Sequence, residues 1–338
     1  MIEAEELREI ENEEIAEAIK RQVASGIDIL TDGEFRRTDF RSGFVEAVEG
    51  IEQLSTEMPW RGGDGTKQLP SRQYVVTERL KQQRRITEGE VAFMQSLTKL
   101  PLKFTLIAPG FLVDRLWKDG VTDLVYESRE ELAADLAAIT KTEIQALFDE
   151  GVRYVQIDNP GYAAFLGEYA RNSGDQNLGA RFQRMLAADT AAVDGVQRHR
   201  SCSIGIHICR GNASSMWLGE GDYEPIAEQL FSLPVDRLLL EYDTERAGGF
   251  EPLRLVPERK MVVLGLVSSK LAALESIDDL QARIDEACAY VDWDFLALSP
   301  QCGFASVALQ GNKLTQDEQY AKLQLVSDTS LATWGIEL

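Results

Sequence analysis

The chain has only two histidines and four cysteines in 338 residues, yet one of each stands in SIGIHICRGN, Ser203 to Asn212, two positions apart. On extended backbone, residues two apart share a face, so His207 and Cys209 present an imidazole nitrogen and a sulfur into one space. That is half of a zinc site. Zinc takes four nitrogen, sulfur or carboxylate donors. Cys302, after LSPQ, and Glu241, closing LLLE, are the natural third and fourth donors if a closed barrel brings remote strand ends together. Two thiolates, one carboxylate and one neutral imidazole outweigh the charge of a zinc ion by one, which suits binding and release of a substrate thiolate. Taken alone, an H-x-C pair fits a satisfied core histidine beside a small thiol as well. Cys202 and Cys288 read as small apolar core residues, and His199 in QRHR as a solvated helix end.

Elements that could position these donors are visible as short Val/Ile/Leu runs alternating with helix-period stretches, the pattern of successive β/α units. Seven strands are expected: Ile27 to Thr31, Lys103 to Ala108, Val152 to Ile157, Ser203 to Ile208, Arg237 to Tyr242, Met261 to Val267 and Phe295 to Ser299. Capping-box spacings at Ser128/Glu131, Thr87/Glu90 and Thr315/Glu318 mark helix starts. Nearly every strand ends in polar residues: TDGE, Pro109, DNP, His207 with Cys209, Glu241 with Asp243, Ser268-Ser269-Lys270, and SPQC. Convergence of strand C-termini on one face is the layout of a (β/α)8 TIM barrel. No GxGxxG or P-loop points to a nucleotide fold.

The expectation is therefore a single barrel domain over residues 1–338, with a loop or hairpin inserted near residues 47–85, where MPWRGGDGTKQLPS breaks the pattern. Seven strands is one short of closure. The chain opens on an amphipathic helix (Leu7, Ile10, Ile15, Ile19, Val23), so the absent first strand belongs before residue 1 or another segment fills its place.

Composition excludes several classes of partner. Thirty-five basic against 56 acidic residues give a net charge of −21, which opposes nonspecific binding to nucleic acid or anionic membranes. The start, MIEAEELREIENEE, has no apolar core to act as a secretory signal. No run reaches the roughly 18 apolar residues of a membrane span. Few cysteines and no dense disulfide framework place the protein in the cytoplasm.

The ordered set TDGEFRR, QIDNP, HICRGN, LLLEYD, LGLVSSK and LSPQCGFAS resembles the catalytic barrel of cobalamin-independent methionine synthase, especially its short single-barrel relatives, from about residue 5 to 335. The resemblance implies zinc held by His207, Cys209, Glu241 and Cys302, the set already assembled from strand ends. It implies that Glu34 and Asp158 hold the amino group of homocysteine, two carboxylates making a cradle for an ammonium. Asn159 and Arg36 stand in the same strand-end motifs and complete the expected substrate-binding set.

The implied reaction is methyl transfer from a methyl donor, 5-methyltetrahydrofolate or its polyglutamate, to the homocysteine thiol, forming methionine. The family's proton-donating histidine after the sixth strand has no counterpart in GLVSSK. Lys270 occupies about that position and is the candidate acid, with a water held by Ser268 and Ser269 as the alternative, and a lysine there could equally bind the substrate carboxylate; Trp117, Phe111 and Trp60 are candidate stackers for a flat pterin. Two alternatives stay open at this level. One is alkyl transfer to another thiol, as in the epoxyalkane:coenzyme M transferases the short relatives also resemble, with Arg36, Arg37 or Arg210 as an anion clamp. The other is a degenerate barrel with a structural zinc.

Overall fold

The computed structural model describes residues 3–62, 65–172, 176–305, 307–308 and 311–335. Gly63 and Asp64 of the inserted segment and Ser306 of the LSPQCGFAS motif lie outside the described residues. The elements in chain order are α1 (Ala4–Ala24), α2 (Ser42–Ala47), β1 (Val48–Gly62), β2 (Gly65–Gln82), α3 (Glu90–Leu97), β3 (Lys103–Ile107), α4 (Pro109–Leu116), α5 (Arg129–Asp149), β4 (Tyr154–Asp158), α6 (Gly161–Tyr169), α7 (Gln176–Val193), β5 (Ser203–Ile208), α8 (Ala227–Phe231), β6 (Arg237–Glu241), β7 (Met261–Val267), α9 (Ile277–Ala287), β8 (Leu296–Pro300) and α10 (Gln316–Trp334).

Strands β3 to β8 form one parallel sheet in sequence order, each connected to the next through α-helix except β6 to β7, which are joined through the 3-10 turns Glu245–Ala247 and Glu251–Leu255. Neighbouring strands lie about 4.8 Å apart, so residues at the ends of β5 and β8 would stand about 14 Å apart in a flat sheet. Cys209 and Cys302 Sγ are 3.4 Å apart, so the sheet must curl on itself. Alternation does the sorting: Val155 and Ile157, and Ile204 and Ile206, are fully buried, while the residues between them line the lumen.

Six of the seven expected strands are present, within two residues of their expected ends. The expected strand Ile27 to Thr31 is the exception. Leu30 alone bridges to Leu102, its N–H donating to the Pro101 carbonyl and its carbonyl accepting from Lys103. Gly33 (φ 70°) and Glu34 (φ 57°) then turn the chain in the left-handed region, where a strand cannot continue. Among the described residues no strand pairing joins that edge to β8. Helices α1 and α10 pack together there: Arg21 pairs with Asp317 at 2.5 Å and Ser327 Oγ donates to the Gly26 carbonyl. At the mouth, Asp39 bridges to Val307.

The inserted segment is an antiparallel hairpin, β1 and β2, paired from Val48–Gln82 to Gly62–Gly65. Its outer end crosses to the loop after β5, where Arg61 pairs with Trp217 and Trp60 buries against Ala213 and Met216. Two helix starts fit their sequence signals. Ser128 accepts from the Glu131 N–H, and Thr315 with Glu318 makes a full capping box. Thr87 does not cap; its hydroxyl donates to buried Glu143 at 2.6 Å, and α3 begins after Gly89.

Candidate metal and substrate site

At the C-terminal mouth of the sheet, one ligand atom each from His207, Cys209, Glu241 and Cys302 lies within 4.8 Å of the others. Three elements supply them: β5 carries His207 and leads into Cys209, β6 ends in Glu241, and Cys302 follows β8. The imidazole Nδ1 lies 3.4 Å from the Leu239 carbonyl. In the neutral ring that contact favours the tautomer with hydrogen on Nδ1 and leaves the lone pair on Nε2. Nε2 is buried with no hydrogen-bond partner, which is the state expected of a nitrogen waiting for a cation.

The other donors are held from behind. The Arg210 N–H donates to Glu241 Oε1 at 2.7 Å, and Gln301 Nε2 reaches Oε2 at 3.4 Å. The Gly211 N–H donates to Cys209 Sγ at 3.2 Å. Gly211 has φ 93° and packs so closely on Trp60 that a Cβ would lie 3.0 Å from the indole. A side chain there would push the hairpin off the loop.

The electrostatics of the cluster are those of donors competing for protons. The bond from Cys302 is the main reason the Cys209 thiol falls well below its usual range, and the same bond holds Cys302 well above it. Burial works to lower the His207 imidazole, but its polar contact with the Cys209 sulfur, and after it the negative charge of Cys209, Asp158 and Glu241, raise it to about 9. Burial and the nearby Cys209 charge push Glu241 up to about 7. A soft divalent cation would compete with these protons for the four donors, and the sulfur-rich set fits zinc in donor chemistry.

Asp158 and Glu34 stand beside this cluster. Asp158 pairs in register with His207 across β4 and β5. Its Oδ1 accepts from Gln156 Nε2 at 2.7 Å, and burial raises its carboxyl to about 6. Glu34 takes the left-handed conformation already noted, accepts from the Thr105 hydroxyl, and lies 3.5 Å from Arg37.

The remaining expected site residues have partners of their own, and of them Lys270 lies close enough for its charge to act on Glu241 and Cys302. Asn159 is fully buried; its amide donates to Asp189 at 2.6 Å and its oxygen accepts from the Gly161 N–H, so it ties the end of β4 to α7. Arg36 turns onto α1, where it donates to Asn12 and lies over the Phe93 ring. Lys270 is 4% exposed and donates to the Gly211 carbonyl at 2.8 Å; its ammonium braces the loop after Cys209. Phe111 is buried against Phe40, and Trp117 packs under Arg129. Gln301 and Asn212, which the sequence reading left without a role, join Ser269, expected there to hold a water, in knitting the three loops together. Ser269 N–H donates to Gln301 Oε1 at 2.8 Å, and Asn212 donates to the Gly303 carbonyl at 2.6 Å. Their signal was their place inside the quoted motifs.

Residues 1–324 match the family model described as the catalytic domain of cobalamin-independent synthase. The chain is 38% identical to the uncharacterized protein YxjG of Bacillus subtilis (strain 168), covering 98% of this chain and 87% of that protein. It is 22% identical to a methionine synthase of Sulfolobus acidocaldarius over 88% of this chain and 77% of that one. Among solved structures, a B12-independent methionine synthase from Shewanella sp. W3-18-1, in complex with selenomethionine, superposes with a TM-score of 0.77 at 23% identity, covering 99% of this chain and 91% of that chain.

Proposed function

This chain belongs to the family of cobalamin-independent synthase catalytic domains, and from that premise we propose that it is a zinc-dependent methyltransferase, a single barrel domain over residues 1–338, that methylates the thiol of homocysteine. The observation that carries the reading is the four-donor cluster with a buried, unpartnered His207 Nε2, set beside two carboxylates. His207, Cys209, Glu241 and Cys302 would hold the ion. A bound zinc supplies Lewis acidity that lowers the pKa of an incoming thiol from near its usual ~8.5.

The chain's own residues do the rest. Glu34 and Asp158 bind the substrate ammonium, which sets the thiol beside the donor cluster. Cys302 is half-buried, the more exposed of the two cluster thiols. Lys270 enters this reading as a brace, holding the Gly211 carbonyl while the Gly211 N–H steadies Cys209. The Shewanella relative holds selenomethionine, the selenium analogue of the proposed product. We take the donor to be a methyl-folate, mono- or polyglutamylated.

A sulfonate thiol would need a free cation at the mouth. Arg36 is engaged on α1, Arg37 on Thr105 and Glu34, and Arg210 is buried over Tyr223, so none of the three arginines expected to clamp a sulfonate is available for it, which favours the amino-acid thiol. The test is incubation of zinc-loaded protein with a panel of thiols and methyl donors, with product detected by mass. Methionine from homocysteine is expected; product only from another thiol, or none at all, rejects the reading.

A further inference from the structure

Lys103 begins β3 on the face that carries Thr105, and its ammonium feels the charge of Asp158 and Glu34 with no direct ion pair to either among the described residues. Its hydrogen bond goes to Gln156 Oε1 at 2.9 Å. An amide that gives its oxygen to an ammonium must turn its NH2 the other way, and Gln156 Nε2 meets Asp158 Oδ1 at 2.7 Å. The flipped amide would set donor against donor at Lys103 and oxygen against oxygen at Asp158, losing both bonds. One orientation therefore survives, and it leaves Asp158 Oδ2 without a described partner.

Glu34 is held by the same logic. Arg37 can only donate, and its Nη1 meets Thr105 Oγ1 at 3.0 Å. The hydroxyl hydrogen is then directed to Glu34 Oε1, with Arg37 itself 3.5 Å away. Thr105 and Gln156 are register partners across β3 and β4, so the two relays lie side by side in one layer.

We propose that Lys103 and Gln156 form a positioning relay that aims Asp158 at the ammonium of an amino-acid thiol, making this chain select amino-bearing thiols over their des-amino analogues. The proposal rests on the homocysteine reading above. A direct lysine–aspartate salt bridge would have to be broken by an incoming ammonium. A cation one amide removed orients the carboxylate and leaves its charge available.

The test uses the zinc-loaded full chain and three variants: Lys103→Met, Gln156→Leu and Lys103→Arg. Calorimetry compares homocysteine with 4-mercaptobutanoate, which lacks the amino group. Loss of the relay should weaken homocysteine binding about tenfold, with 4-mercaptobutanoate changed less than about twofold and Lys103→Arg recovering most of the loss. A second readout needs no substrate: in glutamine-labelled protein, the Gln156 side-chain NH2, assigned by its disappearance in Gln156→Leu, should exchange slowly and lose that protection in Lys103→Met. Protection kept in Lys103→Met overturns the relay. So does an unchanged binding ratio in Lys103→Met when Asp158→Asn does change it. If Asp158→Asn leaves the ratio unchanged, the homocysteine reading fails instead, and the exchange measurement still decides whether the relay exists.

Discussion

Single side chains set the chemistry, and their protons report it. His207, raised to about 9, and Glu241, raised to about 7, would have to lose protons to take up the proposed cation. Metal uptake should therefore release protons, and affinity should fall steadily as the pH is lowered from 8 to 6, measured by competition with a chromophoric chelator. Cys209→Ser or Cys302→Ser should lower affinity by at least about tenfold, read as zinc content after dialysis. Asp158→Asn and Glu34→Gln should leave zinc content unchanged. They should raise the KM for homocysteine at least about tenfold with a smaller effect on kcat, because they remove ground-state binding of the ammonium.

The hairpin of β1 and β2 is the element with the most direct hold on the site. Trp60, 7% exposed, seals against Ala213, Met216 and the Gly211 backbone, two residues from Cys209. Trp60→Ala should loosen this clasp locally. Faster amide exchange is expected in residues 58–62 and 211–218, with little change at β5 itself, because the cluster is separate from the main core. Equal loosening throughout the barrel would show that the hairpin is part of the global fold.

Across the whole molecule, buried carboxyls make stability depend on pH. Burial raises Glu90 to about 7 beside Arg37 and Asp189 to about 6 under three donors. For a carboxyl raised on folding, the native state binds more protons, so its stabilising contribution is full below about pH 4 and is lost as the pH climbs through 6 and 7. The melting temperature should fall between pH 5 and 8, in the same direction as self-repulsion from the net charge of −21. Glu90→Gln should remove a part of the slope worth on the order of 2 to 3 kcal/mol. The absence among described residues of any helix long and apolar enough to cross a membrane accords with that charge.

The sequence by itself determined what recurs locally. Apolar runs of strand length located β3 to β8, cap spacings located the starts of α5 and α10, and polar residues after each strand located the mouth. That His207, Cys209, Glu241 and Cys302 meet was legible for the same reason, since a donor is named by its side chain and a strand end by its pattern. Only tertiary structure could decide partners. Leu30 looks like a strand residue, but Gly33 and Glu34 turn the chain away before a ladder forms. Asn159, Arg36 and Lys270 carry the right groups in the right motifs, yet Asp189, Asn12 and the Gly211 carbonyl claim them first. Hydrogen bonds are short and directional, so which group meets which is fixed by the packing of segments tens to hundreds of residues apart, and no local pattern encodes that.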